Sequence, residues 1–173
     1  IQAFKEGINI WDLIDLANHH PRVNILQPGV GVGGHCIAVD PWFLVSHFKE
    51  DSKLIKTART INDKKPDWVI KIIKDKVKKY ISHHRKTPSV SFFGLSFKPD
   101  IDDFRGSPAL YIVNQMEKEN FDVYVVEPNI EKIDNLNIIN IETAISETDI
   151  LVFLVKHKEF IKAIKDNSFN SNT

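Results

Sequence analysis

The residue type best suited to chemistry in this sequence is its single cysteine, Cys36, which follows a glycine-rich run. Four of the seven glycines lie at positions 29, 31, 33 and 34, which predicts a loop able to bring its backbone close to an anion or a sugar. A cysteine beside such a loop is a useful nucleophile if its thiolate is accessible and stabilised. The alternative is that Cys36 serves as a small buried hydrophobe, as free cysteines often do.

The glycine spacing also satisfies the pattern GxGxxG, which invites the interpretation of a dinucleotide-binding loop. That fingerprint requires a helix that opens at the third glycine, here Gly34. Pro41 prevents a helix from running through the segment that follows, because proline lacks a backbone donor and clashes with the preceding turn. We therefore do not predict a dinucleotide fingerprint here.

Two other uses of the cysteine remain open but are weaker. A metal site built from His35, Cys36 and Asp40 would have only one sulfur ligand, so we predict no metal. A thiol hydrolase pairing Cys36 with His19, His20 or His35 lacks a distant His/Asn pattern from which a triad could be placed.

The elements that must position this loop are predicted to be helical in the first half of the chain. Apolar residues near helical spacing predict a helix over 3–18, and an irregular segment covers 21–41. A short helix from Trp42 to Phe48 precedes a long amphipathic helix from about Ser52 to Ile81. Pro66 should kink or interrupt that long helix.

The character of the chain changes at Pro88, where short apolar runs begin to alternate with helical segments. Strands are predicted at 89–94, 121–126, 138–141 and 150–155. Ser107 and Pro108 indicate the start of a helix reaching Glu119, and a short helix is predicted at 142–146. This alternation predicts an α/β fold with a parallel, doubly wound sheet. We place the boundary near 83–88, dividing the chain into 1–85 and 86–173.

Composition narrows the classes of function. Lys+Arg and Asp+Glu both number 23, for a formal net charge of +0, so nothing favours nucleic acid or a membrane surface as partner. No apolar run is long enough to span a bilayer. A single cysteine fits a reducing cytoplasm.

Three blocks of sequence resemble the UDP-glucose/GDP-mannose dehydrogenase family. The first is Pro-Gly-Val-Gly-Val-Gly-Gly-His-Cys-Ile-Ala-Val-Asp-Pro at 28–41, within a longer similar string over 16–43. The second covers 93–109 and the third covers 125–129. The resemblance implies a central helical, dimerising domain followed by a Rossmann-like UDP-sugar-binding domain.

Members of this family oxidise a sugar C6 alcohol to a carboxylate with NAD, through a thioester on a cysteine. The resemblance assigns that cysteine to Cys36. It assigns Asp40 to the family aspartate near the hydrolytic water, as base or positioning group, although a turn carboxylate before Pro41 would have the same sequence.

The resemblance also implies binding residues. Lys98 matches a lysine that approaches the sugar, and Arg105 matches an arginine that reaches the NAD pyrophosphate. Arg22 resembles an arginine that contacts the nucleotide sugar from the partner subunit, while Asn24 and Gly33 would line the sugar. The alternative for the two cations after the first strand is pairing with Asp100, Asp102 or Asp103. Asn62 either touches the active site or occupies a solvated helix position.

The family implies a homodimer formed through the long central helix, although core burial within one chain would leave the same apolar stripe. Its N-terminal NAD-binding domain has no counterpart here, and the polar tail at 167–173 does not resemble the family's continuation. We therefore expect a C-terminal part of a longer dehydrogenase. The alternative is a nucleotide-sugar-binding and dimerisation module without catalysis.

Overall fold

The first half of the chain consists of helices in the computed structural model, which describes residues 1–130 and 132–166. The polar tail noted at 167–173 lies outside these described residues. The helices are α1 (Gln2–Lys5), α2 (Ile10–Asn18), α3 (Asp40–Phe48), α4 (Lys53–Asp63) and α5 (Lys65–His84), with a 3-10 turn at Lys49–Ser52.

Two of the predicted helices are each divided into two. The segment 3–18 breaks between α1 and α2, because Gly7 adopts a φ of +70° and the Asn9 side chain caps α2 by accepting the N–H of Trp11 at 3.0 Å. The predicted helix from Ser52 to Ile81 is α4 followed by α5, which meet at Lys64. Pro66 lies in the first turn of α5, where a missing N–H costs no helical bond.

The second half contains the predicted parallel sheet. Strands β1 (Ser89–Phe93), β2 (Asp122–Val126) and β3 (Ile150–Phe153) lie in the order β2-β1-β3, and both pairings are parallel. The intervening helices are α6 (Pro108–Met116) and α7 (Ile141–Glu147), and α8 (Lys158–Lys165) follows β3.

Three details of the second half differ from the predictions. The segment 138–141 is not a strand, since Ile138 forms only an isolated bridge with Val125. Helix α6 ends at Met116 rather than at Glu119. Helix α8 was not predicted from the sequence.

The core lies on both faces of β1. One cluster joins Val90 and Phe92 to α6 and to Ile73 and Val77 of α5. The other joins Phe93 to β2, α7 and α8. Helices on both faces make the sheet doubly wound, as expected. The apolar stripe of α5 therefore packs against the sheet within one chain. Among the described residues, no helix is both long and apolar enough to cross a membrane.

Candidate functional site

The glycine loop is packed tightly against the second half of the chain. Gly33 and Gly34 are buried, and the N–H of Gly34 donates to the carbonyl of Arg105 at 3.1 Å. A Cβ on Gly33 would lie 2.5 Å from the carbonyl oxygen of Gly106 and 2.8 Å from Cδ of Pro108. The absence of a side chain at Gly33 is thus what allows the two backbones to approach.

The neighbouring residues fix the loop from two more directions. Gly34 adopts a φ of +87°, and a Cβ there would lie 2.9 Å from the ring of Phe97. On the helical side, Oδ1 of Asn62 in α4 accepts the N–H of Val32 at 2.9 Å. Asn62 therefore contacts the loop that carries the cysteine, and its contact with an active site stays a prediction.

Cys36 lies immediately beyond this anchored loop, and its side chain is exposed. Its carbonyl accepts the N–H groups of Val39 at 3.0 Å and Asp40 at 2.8 Å, forming the turn that leads into α3. Exposure contradicts the interpretation of Cys36 as a buried hydrophobe. Asp40 is the exposed first residue of α3, so that helix begins two residues earlier than the predicted start at Trp42.

Arg105 is the cationic side chain that the docked loop brings into electrostatic range of Cys36. Its guanidinium donates to Asp103, with Nε 3.0 Å from Oδ1 and Nη2 2.6 Å from Oδ2. This hydrogen bonding raises the pKa of Arg105, and a smaller electrostatic effect of Cys36 acts in the same direction. The same side-chain bond lowers the pKa of Asp103 to about 2. Arg105 thus forms the predicted pair with a neighbouring aspartate while its side chain stays exposed, and its role toward NAD stays a prediction.

Lys98 lies in the segment that follows β1, at the carboxyl edge of the sheet where doubly wound folds bind ligands. Its side chain is exposed and forms no ion pair with the residues that the structure describes. Its carbonyl accepts the hydroxyl of Ser96 at 2.7 Å. The segment is thus held by its backbone, while the exposed side chain places its ammonium group 6.0 Å from the centroid of the Phe97 ring.

Arg22 and Asn24 lie in an exposed loop between α2 and the glycine loop. Asn18 bridges the two ends of this exposed loop, because its side chain accepts the N–H of Ile25 at 2.7 Å and donates to the carbonyl of Ile25 at 3.1 Å. Within the described residues, no hydrogen bond or ion pair joins Arg22 or Asn24 to the cysteine loop. Their part in substrate binding stays a prediction.

A buried polar network at the carboxyl edge of the sheet was missed in the sequence. Glu127 follows β2 and is 4% exposed, and His157 lies beyond β3 and is 0% exposed. They interact with Ser96 and Asn129 at neighbouring ends of the sheet. The available signal was a polar residue after each of two apolar strands, since parallel strands place such residues at one edge.

Potential metal ligands cluster at this edge rather than at the cysteine. In the described parts of the chain, the compact set is Asp100, His157 and Glu159, whose ligand atoms lie within 4.8 Å of one another. Nδ1 of His157 already accepts the backbone N–H of Asp100 at 2.9 Å, so it is not available to an ion without rearrangement.

Solved structures with the same architecture define the class of protein. A UDP-D-ManNAc dehydrogenase from Pyrococcus horikoshii superposes with a TM-score of 0.77 and 33% identity, over 92% of this chain and 37% of that structure. A UDP-N-acetyl-mannosamine dehydrogenase from S. aureus gives a TM-score of 0.76 and 38% identity, over 97% of this chain and 38% of that structure. The fold is that of the nucleotide-sugar dehydrogenases.

Sequence comparison then gives the family. Residues 2–64 match the central domain of the UDP-glucose/GDP-mannose dehydrogenase family, and residues 91–171 match its UDP binding domain. The chain belongs to the UDP-glucose/GDP-mannose dehydrogenase family.

Named relatives differ in their sugars. The UDP-N-acetyl-D-mannosamine dehydrogenase of Campylobacter jejuni is 50% identical over 170 residues, which are 94% of this chain and 40% of that protein. The NDP-N-acetyl-D-galactosaminuronic acid dehydrogenase of Ralstonia solanacearum is 48% identical over 165 residues, 92% of this chain and 38% of that protein. The chain thus spans about two fifths of the length of these relatives.

Proposed function

We propose that this chain is the catalytic-cysteine and UDP-sugar-binding part of an NAD-dependent UDP-N-acetyl-D-mannosamine 6-dehydrogenase. The observation that carries the proposal is the exposed Cys36 on a loop that Gly33 and Gly34 lock against the segment bearing Arg105. The 50% identity to the Campylobacter jejuni enzyme supports this sugar. The alternatives are UDP-glucose, UDP-N-acetyl-glucosamine and GDP-mannose.

Cys36 would act on the aldehyde formed when C6 is first oxidised. Its Sγ adds to the aldehyde carbon, a C–S bond forms, and the oxygen takes a proton to give a thiohemiacetal. Departure of hydride from that carbon, with loss of the hydroxyl proton, leaves a thioester on Cys36. Water then adds to the thioester and the C–S bond breaks, which releases the carboxylate and restores the thiol.

Asp40 would serve the hydrolytic step. It is four residues from Cys36, is exposed, and begins α3 after the turn closed by the Cys36 carbonyl. A carboxylate in this position can accept a proton from the attacking water or hold that water beside the thioester.

Among the described residues, Arg105 is the one that we propose as a contact to the cofactor. When bound, NAD supplies the acceptor for the two hydrides that leave C6. The exposed guanidinium of Arg105 is a planar cationic fork that suits one phosphate of a pyrophosphate. The glycine loop does not fit as a dinucleotide cradle, because the helix that follows it begins at Asp40 rather than at Gly34.

The sugar nucleotide would lie between the cysteine loop and the carboxyl edge of the sheet. Lys98 would contact the sugar, with Gly33 forming part of the wall by its backbone. Asn24 would contribute from its own chain, and Arg22 would reach the diphosphate of the partner subunit in a homodimer. The product, a UDP-sugar acid, suits the synthesis of a bacterial surface polysaccharide. A thiol that must stay reduced favours the cytoplasm as the setting.

The experiment that tests this proposal combines calorimetry with alkylation of the cysteine. UDP-N-acetyl-mannosamine, UDP-glucose and GDP-mannose are titrated into the chain, and iodoacetamide labelling is followed with and without each sugar nucleotide. Because the sequence has one cysteine, all labelling reports on Cys36. We expect saturable binding of the UDP-N-acetyl-mannosamine that slows labelling about tenfold or more.

Matched controls separate binding from chemistry. Cys36→Ser should bind the sugar nucleotide as the wild type does and show no labelling. Failure of all three sugar nucleotides to bind or to protect Cys36 would reject the proposal. We also expect no NADH formation by this chain alone, because, of the residues that the structure describes, we propose only Arg105 as a contact to NAD.

A further inference from the structure

His157 occupies a fully buried position beyond the end of β3, and its ring nitrogens have different partners. Nδ1 accepts the backbone N–H of Asp100 at 2.9 Å. A nitrogen that accepts a hydrogen bond carries no proton, so the proton of the neutral imidazole resides on Nε2.

The protonated nitrogen faces two acceptors at the same edge of the sheet. Nε2 lies 3.3 Å from Oγ of Ser96 and 3.5 Å from Oε2 of Glu127. The Ser96 hydroxyl in turn donates to the carbonyl of Lys98 at 2.7 Å, and Oε2 of Glu127 accepts the N–H of Leu95 at 2.7 Å.

Three backbone groups of the segment 95–100 are therefore held by one buried network: the N–H of Leu95, the carbonyl of Lys98 and the N–H of Asp100. Asp100 needs such support, because it adopts a φ of +60° that a non-glycine residue rarely adopts. Its carboxylate also accepts the N–H of Lys158 at 2.9 Å. The exposed side chain of Lys98 projects from the middle of this fixed segment.

The charged groups around the imidazole are carboxylates from three elements. Glu127 follows β2, Asp100 follows β1 with its Oδ1 3.8 Å from Nδ1, and Glu159 lies in α8. Burial would raise the pKa of Glu127, but hydrogen bonds from His157 and from the Leu95 N–H outweigh it and lower that pKa. Glu127 therefore remains ionised and able to accept both bonds.

We propose that His157, as a neutral imidazole protonated on Nε2, is the positioning residue that holds the segment 95–100 so that Lys98 faces the sugar nucleotide. This inference rests on the proposed function, because the role of Lys98 belongs to it. His157 touches no substrate and acts through Ser96, Glu127 and the backbone of the segment.

The first measurement uses the whole wild-type chain labelled with ¹⁵N. The shifts of the His157 ring nitrogens should identify Nδ1 as unprotonated and Nε2 as protonated. A proton on Nδ1 would overturn the inference, and this result does not depend on any variant folding.

Two substitutions then separate the functions of the two nitrogens. In His157→Asn the amide oxygen can occupy the place of Nδ1 and accept the Asp100 N–H, whereas His157→Gln places its amide near Nε2 and loses that acceptor. We expect hydrogen exchange at the Asp100 amide to accelerate about tenfold in His157→Gln, the effect of one lost hydrogen bond. Exchange in His157→Asn should stay within about threefold of the wild type.

Sugar-nucleotide affinity gives the functional result. UDP-N-acetyl-mannosamine affinity should fall about tenfold in His157→Gln and fall less in His157→Asn, which keeps the bond to Asp100 but loses the contacts of Nε2. The control His83→Gln, at an exposed histidine of α5, should change neither quantity. Equal exchange in both variants would overturn the inference. A wild-type chain that protects the Asp100 amide but binds no sugar nucleotide would reject the proposed function and the ligand part of this inference, while the exchange data still decide the role of His157 in the segment.

Discussion

At the scale of single residues, the candidate site depends on two positions that lack a side chain. Gly33 and Gly34 meet Gly106, Pro108 and Phe97 at distances that leave no room for a Cβ. The cysteine that follows is exposed because the loop, rather than the cysteine itself, fills the junction between the two halves. The chemistry assigned to Cys36 thus depends on packing at its neighbours.

Gly33→Ala should separate the loop from the segment that carries Arg105. Its Cβ would lie 2.5 Å from a backbone oxygen that cannot move independently, so we expect the free energy of unfolding to fall by about 1–3 kcal/mol. Protection of Cys36 by sugar nucleotide should be lost with it. Chemical denaturation and the labelling assay measure both effects.

Gly29→Ala is the matched control for this substitution. A Cβ there meets only the carbonyl oxygen of Gly31, at an ordinary contact distance of 3.8 Å. We expect a change of less than about 1 kcal/mol and unaltered labelling. Equal destabilisation by the two substitutions would show that the close contact at Gly33 does not hold the loop.

At the scale of elements, one carboxylate joins the end of α5 to the starts of β1 and β3. Asp149 accepts the hydroxyl of Tyr80 at 2.7 Å, the N–H of Ser89 at 2.9 Å and the ammonium of Lys86 at 3.1 Å. Burial would raise the pKa of Asp149, but these hydrogen bonds prevail and hold that pKa well below its usual range. The carboxylate is therefore most stabilising when ionised.

Asp149→Asn should lower the free energy of unfolding by about 2 kcal/mol at neutral pH, because the amide loses the charge-assisted bonds. A lowered folded-state pKa gives stability that is present above the unfolded pKa, about 4, and is lost as the pH falls below it. The difference in Tm between wild type and variant should therefore shrink below about pH 4.

Thermal unfolding between pH 3 and 7 measures this dependence. The control is Asp75→Asn, at an exposed aspartate of α5, the helix that carries Tyr80. It should leave the Tm nearly unchanged at every pH. A constant difference in Tm between wild type and Asp149→Asn down to pH 3 would contradict the assignment.

The elements themselves were predicted well where local chemistry controls them. Ser107 caps α6 and Pro108 opens it, as the sequence indicated, because both preferences are intrinsic to the first turn. The break at Lys64 was harder, since an apolar stripe continues across it and only the separate packing of α4 and α5 decides between a kink and two helices. The missing strand at 138–141 has a similar cause, because one bridge to Val125 does not extend into a ladder.

At the scale of the whole molecule, the helical half leaves many apolar side chains uncovered. Leu54 of α4 is 82% exposed and Ile61 is 61% exposed, and Phe43 of α3 is 68% exposed. A large exposed apolar surface on a protein commonly marks an interface. The homodimer predicted from the sequence would use α4 and its neighbours, since the stripe of α5 is already buried against the sheet.

Leu54→Glu combined with Ile61→Glu should convert a dimer to a monomer without unfolding the chain, because both side chains lie in solvent in the single chain. Sedimentation velocity at several concentrations measures the mass, and circular dichroism confirms the fold. Ile164→Glu, at an exposed position of α8, is the control that should remain dimeric. A wild-type chain that sediments as a monomer would contradict the predicted homodimer.

The sequence by itself determined the parallel α/β class and the family, and it singled out the loop at 28–41 as the candidate site, because these follow from local preferences and from residue identities in order. Only the tertiary structure decided that Asn62 holds the glycine loop, that Asp103 pairs with Arg105, and that His157 and Glu127 share a buried network. Each of these depends on which side chains meet across elements separated in sequence. Packing and the exclusion of water determine which of these side chains contact each other. Residue spacing along the chain carries little information about such contacts.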